Sequence, residues 1–181
     1  MLLPICCLIG TNAFTQQVEA LPNWISANDP ASNKTSTWIA FRRDVFFKKK
    51  PRNALTRIAA DTKYWLWING ELVVFEGGLK RGPNPNDSYG DTIDLEPYLK
   101  KGNNKIAILL WHFGKDGFSH VNSGKSGLLF HLRTDENDLI SDQRWLSSVH
   151  SAYQLADNPA PNYRLPESNI RFDAQKDIAD W

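Results

Sequence analysis

Lys63-Tyr64-Trp65-Leu66-Trp67-Ile68-Asn69-Gly70-Glu71-Leu72-Val73-Val74-Phe75 is the stretch that decides the fold of this chain. Two apolar runs meet at Asn-Gly. That pair tolerates the positive φ of a type I′ turn, so the stretch predicts a β-hairpin. Along its first arm Tyr64, Leu66 and Ile68 share one face, and Trp65 and Trp67 share the other. Both faces are apolar. One covers a core, and the other needs a loop, a partner or a ligand over it.

Working outward, Trp38–Phe47, Leu55–Asp61, Lys105–Phe113 and Gly127–Arg133 read as strands. Thr92–Leu95 is a short strand or turn, and Leu139–Asp142 and Trp145–Ser148 supply the last short strands. Lys105–Phe113 is apolar on both faces, which predicts a central position. Glu96–Asn104 reads as one helical turn ended by a glycine stop. Leu21–Thr37 is an irregular lead-in with Trp24-Ile25 docking onto the strands, and Asp135–Asp138 is a turn. From Asp157 onward, Pro159, Pro161 and Pro166 predict an extended tail. Many short strands punctuated by Gly, Pro and Asn predict an all-β fold, a sandwich or jelly roll.

The chain of 181 residues is long enough to bury one full core. Its formal net charge is +1 with acids and bases interspersed, which argues against a nucleic-acid footprint. Lys48-Lys49-Lys50-Pro51-Arg52 is the one basic run and reads as a solvated loop. Both cysteines, Cys6 and Cys7, stand in the first apolar segment, so no disulfide framework or thiolate metal site follows them. That segment, Leu2–Gly10, is far shorter than the roughly 20 residues that span a bilayer. With the small residues Ala13, Thr15 and Ala20 it reads as the leader of an exported protein, periplasmic or extracellular. It is atypical in lacking a positive n-region. The domain division is therefore 1–20 leader and 21–181 β-sandwich with its tail.

No catalytic motif is recognisable. Glu76, Asp87, Asp91, Asp116 and Glu167 are loop or strand-end acids, of a type that commonly caps turns or pairs with cations such as Arg81, Lys115 and Arg164. His112 and His120 flank a glycine-rich loop, but no third ligand follows at a familiar metal spacing. Gly77-Gly78 and Lys115-Asp116-Gly117 lack the following helix that an anion-binding loop needs. No cofactor is expected; a structural calcium is left open.

The order Trp-x-Trp-x-Asn-Gly, a Gly/Pro/Asn loop, an acidic strand, Pro97-Tyr98-Leu99-Lys100-Lys101-Gly102 and a long apolar strand ending in Trp111 resembles a known pattern. It is similar to the galactose-binding-domain-like jelly roll of bacterial glycoside hydrolases. More narrowly, Tyr64–Asp87, Pro97–Gly127 and Asn162–Asp173 resemble the N-terminal β-sandwich of bacterial α-L-rhamnosidases, of glycoside hydrolase family 78. The likeness covers roughly Asn23–Trp181. It implies that catalysis belongs to carboxylates of a separate helical barrel, so no catalytic residue carries over to this chain. The implied role is an accessory sandwich of an exported rhamnosidase-like hydrolase, bracing its sister domains. The alternatives are an independent carbohydrate-binding module and a small standalone glycosidase. Arg81, Asn84, Asn86, Asp87, Trp111, His112, Lys115 and His120 form the candidate set for contact with a sugar or a sister domain, provided the loops Glu76–Asp87 and Trp111–His120 meet. Sugar sites combine an aromatic face with a few fixed polar groups, and this set offers both.

Overall fold

A computed structural model describes residues 21–79, 89–117, 120–157 and 170–178. Eleven strands are described: β1 (Thr37–Phe47), β2 (Leu55–Asp61), β3 (Lys63–Ile68), β4 (Glu71–Gly78), β5 (Asp91–Asp94), β6 (Gly102–His112), β7 (Gly127–Arg133), β8 (Leu139–Ile140), β9 (Leu146–Val149), β10 (Tyr153–Leu155) and β11 (Ile170–Phe172). They form a five-stranded sheet in the order β4-β3-β6-β1-β9, a four-stranded sheet β5-β2-β7-β8, and the small pair β10-β11. Every pairing is antiparallel. The fold is an all-β sandwich, as the strand pattern predicts.

The hairpin behaves as its residues dictate. Asn69 has φ 54° and Gly70 φ 88°, the two positive values of a type I′ turn. Asn69 adds a side-chain tie, since its Nδ2 donates to the Tyr98 carbonyl at 3.0 Å. Tyr64, Leu66 and Ile68 are fully buried and face the other sheet. There they meet Ile39 and Phe41 of β1, Ile58 of β2, Ile106, Ile108 and Leu110 of β6, and Leu128, Phe130 and Leu132 of β7. At about 25 cal/mol per Å² of apolar area, this two-sheet core is the main source of stability. The strand predicted to be central, β6, occupies the middle of its sheet between β3 and β1.

Trp24-Ile25 docks as expected: Ile25 exchanges both backbone hydrogen bonds with Leu128 at 2.9 Å. The basic loop after β1 is solvated as expected, with Lys48, Lys49, Lys50 and Arg52 all exposed, and its backbone is tied down by two acids. The Glu136 carboxylate accepts from the backbone N–H groups of Lys48 and Lys49, and Asp135 accepts from Arg52 N and Lys49 Nζ. The glycine stop differs from expectation. One helical turn is present, with Leu99 N donating to Leu95 O at 3.2 Å. Gly102, however, has φ 91° and opens β6 instead of ending a helix. Asn104 makes this possible: its side chain bonds Lys100 N, Lys100 O and Gly102 O, and so closes the turn from within the strand.

Candidate functional site

The predicted site divides when placed on the sandwich. Arg81, Asn84, Asn86 and Asp87 lie outside the described residues, as do the leader and most of the proline-rich tail. Trp111 and His112 are 0% exposed and His120 is 3% exposed, so none of the three offers surface to a sugar or a neighbouring domain. Their physical place is internal. Trp111 stacks on Trp38 with centroids 4.7 Å apart, and Phe113 packs edge-on against it at 4.8 Å. Lys115 alone of the described four is exposed.

His112 and His120 instead belong to a buried polar knot at the end of β2. His112 Nδ1 donates toward the Asp61 carbonyl and its Oδ1, each at 3.2 Å. Thr62 Oγ1 donates to Asp61 Oδ1 at 3.1 Å, accepts from Phe113 N at 3.2 Å and lies 3.4 Å from His120 Nε2. The Ser123 hydroxyl donates to the other Asp61 oxygen, Oδ2. Burial pushes the Asp61 carboxyl upward. Hydrogen bonds from His112 and Ser123, with the fields of His112 and His120, outweigh that push and hold it below the ordinary carboxylate value. His112 Nε2 is buried with no hydrogen-bond partner among the described residues. Among the described residues no group of three or more His, Cys, Asp or Glu is arranged to hold a metal ion. The knot ties the segments 113–117 and 120–126 to the sheets; its chemistry is that of a brace.

The described acids have structural partners too. Glu76 pairs with Lys63 at 3.2 Å, a cation with only 4% of its side chain exposed. Asp91 Oδ2 accepts from Tyr64 Oη at 2.8 Å and Gly78 N at 2.9 Å. Asp116 accepts from Asn122 N at 2.8 Å. Each acid is used as turn and strand chemistry predicts.

Two outward faces remain, and they differ in character. The outer face of the five-stranded sheet is largely apolar: by strand alternation it carries Trp38, Ala40, Trp65, Trp67, Ala107, Leu109 and Trp111, with Arg42 and Lys63 beside them. Its centre is roofed by Tyr153 of β10 and by the segment 170–178. Tyr153 stacks on Trp38 at 5.8 Å and meets Phe172 at 4.8 Å. His150 Nε2 lies 3.3 Å from Asp177 Oδ1 and fastens that segment. Burial lowers the His150 pKa from its ordinary value despite the Asp177 carboxylate, which raises it. A cavity of about 140 Å³ stays open between Trp67, Leu109, His150 and Ile178. Beyond the roof the face continues as a shelf. Trp65 and Trp67 are half-buried, with Phe75 set edge-on to Trp65. Phe75 is 71% and Leu72 45% exposed on the edge strand β4.

The outer face of the four-stranded sheet is mixed instead. It carries a cleft of about 420 Å³ lined by Pro22, Trp24, Arg57, Ala59, Leu129 and His131. Sequence reading passed over Arg57 and His131, and took Trp24 only as a docking residue. Alternation along β2 and β7 was the available signal, since Arg57 and His131 interrupt otherwise apolar strands.

The overall architecture has solved counterparts. The crystal structure of the GH78 family rhamnosidase of Bacillus sp. GL1 superimposes with a TM-score of 0.68 at 25% identity, over 88% of this chain and 16% of that one. The chain resembles one domain of a rhamnosidase. The α-L-rhamnosidase of Aspergillus terreus shows the same fold, with a TM-score of 0.64 and 22% identity over 91% of this chain and 19% of that one. So does the Streptomyces avermitilis α-L-rhamnosidase complexed with L-rhamnose, with a TM-score of 0.51 and 21% identity over 83% and 14%. This rhamnosidase-like chain thus spans less than a fifth of the length of each enzyme. No protein-family model matches it, and no curated protein sequence does. No helix among the described residues is long and apolar enough to cross a membrane, a finding silent on strands.

Proposed function

We propose that the chain is a non-catalytic accessory β-sandwich of a rhamnosidase-like glycoside hydrolase, packed against sister domains through the outer face of its five-stranded sheet. The observation that carries this reading is the apolar shelf of Trp65, Trp67, Leu72 and Phe75. Contiguous exposed apolar surface on a folded domain marks a contact site. The likeness to about one sixth of a large hydrolase supplies the kind of partner. The acids described above are occupied in turns and ion pairs, which supports a non-catalytic role.

The test is co-expression of the chain with the catalytic domain of such a hydrolase. Expected are co-elution and a raised melting temperature of the complex, both lost in Phe75→Lys with Leu72→Lys. A chain that neither contacts nor stabilises a catalytic domain would overturn the proposal. Cleavage of a nitrophenyl rhamnoside by the purified chain, well above blank and abolished by no partner-surface change, would replace it with the standalone-glycosidase reading.

A further inference from the structure

The mixed cleft on the opposite sheet has a composition that packing alone does not require. Trp24 packs closely against Gly127, where a Cβ would come within 2.8 Å of its ring. The ring is therefore seated on backbone, yet it remains 49% exposed. An indole fixed from below and open from above is a stacking platform with little conformational entropy left to lose. At the other end of the cleft, Arg57 of β2 stands opposite His131 of β7 and Thr92 of β5. Arg57 is exposed and forms no hydrogen bond or ion pair with any described residue. The acids of this face are already used: Asp94 accepts from Glu96 N at 2.9 Å, and Asp138 meets His131 Nε2 at 3.2 Å and Arg133 Nε at 3.8 Å. His131 is thereby oriented, while its Nδ1 has no hydrogen-bond partner among the described residues. The cleft, about 420 Å³, is within the size range of small-molecule sites.

We propose that this cleft binds a sugar bearing a carboxylate, with Trp24 stacked on the sugar's C–H face and the Arg57 guanidinium paired with the carboxylate. A planar fork of N–H donors matches a carboxylate with two parallel hydrogen bonds, and a free arginine beside neutralised acids favours an anion. His131 supplies a polar contact for a ring hydroxyl between the two. The choice of a sugar rests on the glycoside-hydrolase reading. The anion preference rests on Arg57 and stands without it.

The test is titration of the full chain with D-galacturonate, with D-galactose as the same sugar lacking the charge, and with acetate as the charge lacking the sugar. Tryptophan fluorescence and calorimetry are the readouts. Expected is saturable binding of galacturonate, about tenfold weaker binding of galactose, and no saturation by acetate at the same concentrations. Arg57→Gln should remove the galacturonate preference while its melting temperature stays that of the parent, because Arg57 is exposed and pairs with no described residue. Trp24→Phe should weaken both sugars. Equal affinity for galacturonate and galactose, or an unchanged preference in Arg57→Gln, overturns the assignment of Arg57. Acetate binding as tightly as galacturonate overturns the sugar. No binding by the intact chain overturns the site altogether, and leaves the docking reading untouched because Arg57→Gln does not alter the shelf.

Discussion

Asp61, which nothing in the sequence singles out, is 3% exposed and organises the polar groups buried around it. Its carboxylate gathers His112, Thr62 and Ser123 into the knot that holds the loop after β6. Its folded pKa is below the ordinary 3.8. The stabilisation is therefore complete above that value and is lost as the pH falls through the folded pKa. Asp61→Asn should cost about 1–3 kcal/mol at neutral pH and flatten the acid limb of stability, measured by urea unfolding across the acid range. His150 follows the same sign for a different reason. Burial depresses it below 6.5, so the unfolded chain takes up the proton first and stability falls as the pH drops below about 6.5. His150→Gln should remove that slope in thermal melts, and hydrogen exchange should show 170–178 loosening first in the parent at low pH. At this scale the sequence was least legible. Trp111, His112 and His120 carry the residue types of a site, and only the inward pleat of β6 and the roof over its outer side reveal that they are interior. Trp24 had the opposite fate: its exposure depends on a glycine a hundred residues further along the chain.

The hairpin, β2, β6 and β7 were legible because alternation and turn chemistry agree within each segment. Leu55–Asp61 and Gly127–Arg133 coincide with the predicted strands. The pair β10-β11 was not legible. Its strands are three residues each, and the partner of Tyr153 stands at Phe172, beyond a stretch whose prolines read as tail. Such pairs form because a larger apolar face needs covering, and no local pattern encodes that. The end of β4 carries a sharper constraint than its composition suggests. A Cβ on Gly77 would stand 2.4 Å from the Tyr64 ring, and one on Gly78, at φ 85°, 2.7 Å from the Thr62 carbonyl. The two glycines let the edge strand cross the ring whose hydroxyl bonds Asp91. Gly77→Ala should cost about 1–3 kcal/mol by forcing Tyr64 from its place, read as a lowered denaturation midpoint at unchanged m-value. Burial and the Asp91 carboxylate also raise the Tyr64 pKa well above its ordinary 10.0, so this bond survives throughout the neutral range.

For the molecule as a whole, the all-β sandwich follows from the density of short strands, and the resemblance to a rhamnosidase sandwich holds in the solved structures. The exposed surface was the harder reading, because which face of each sheet looks outward depends on how all the strands are ordered. The shelf of Trp65, Trp67, Leu72 and Phe75 predicts behaviour of the isolated chain. Without a partner it should self-associate as concentration rises, measured by sedimentation, and Phe75→Lys with Leu72→Lys should restore a monomer while the melting temperature changes little. The placement of the two faces has a consequence of its own. They belong to opposite sheets of one sandwich, with a core about 10 Å thick between them. If both proposals hold, a sister domain on the tryptophan shelf and a sugar in the Trp24 cleft would sit on opposite sheets and would not compete, and the sugar could be one unit of a longer polymer. A polymer gripped on one side would then raise the local concentration of its own chain around whatever is fastened to the other, a gain that comes from tethering and needs no change in the sandwich itself.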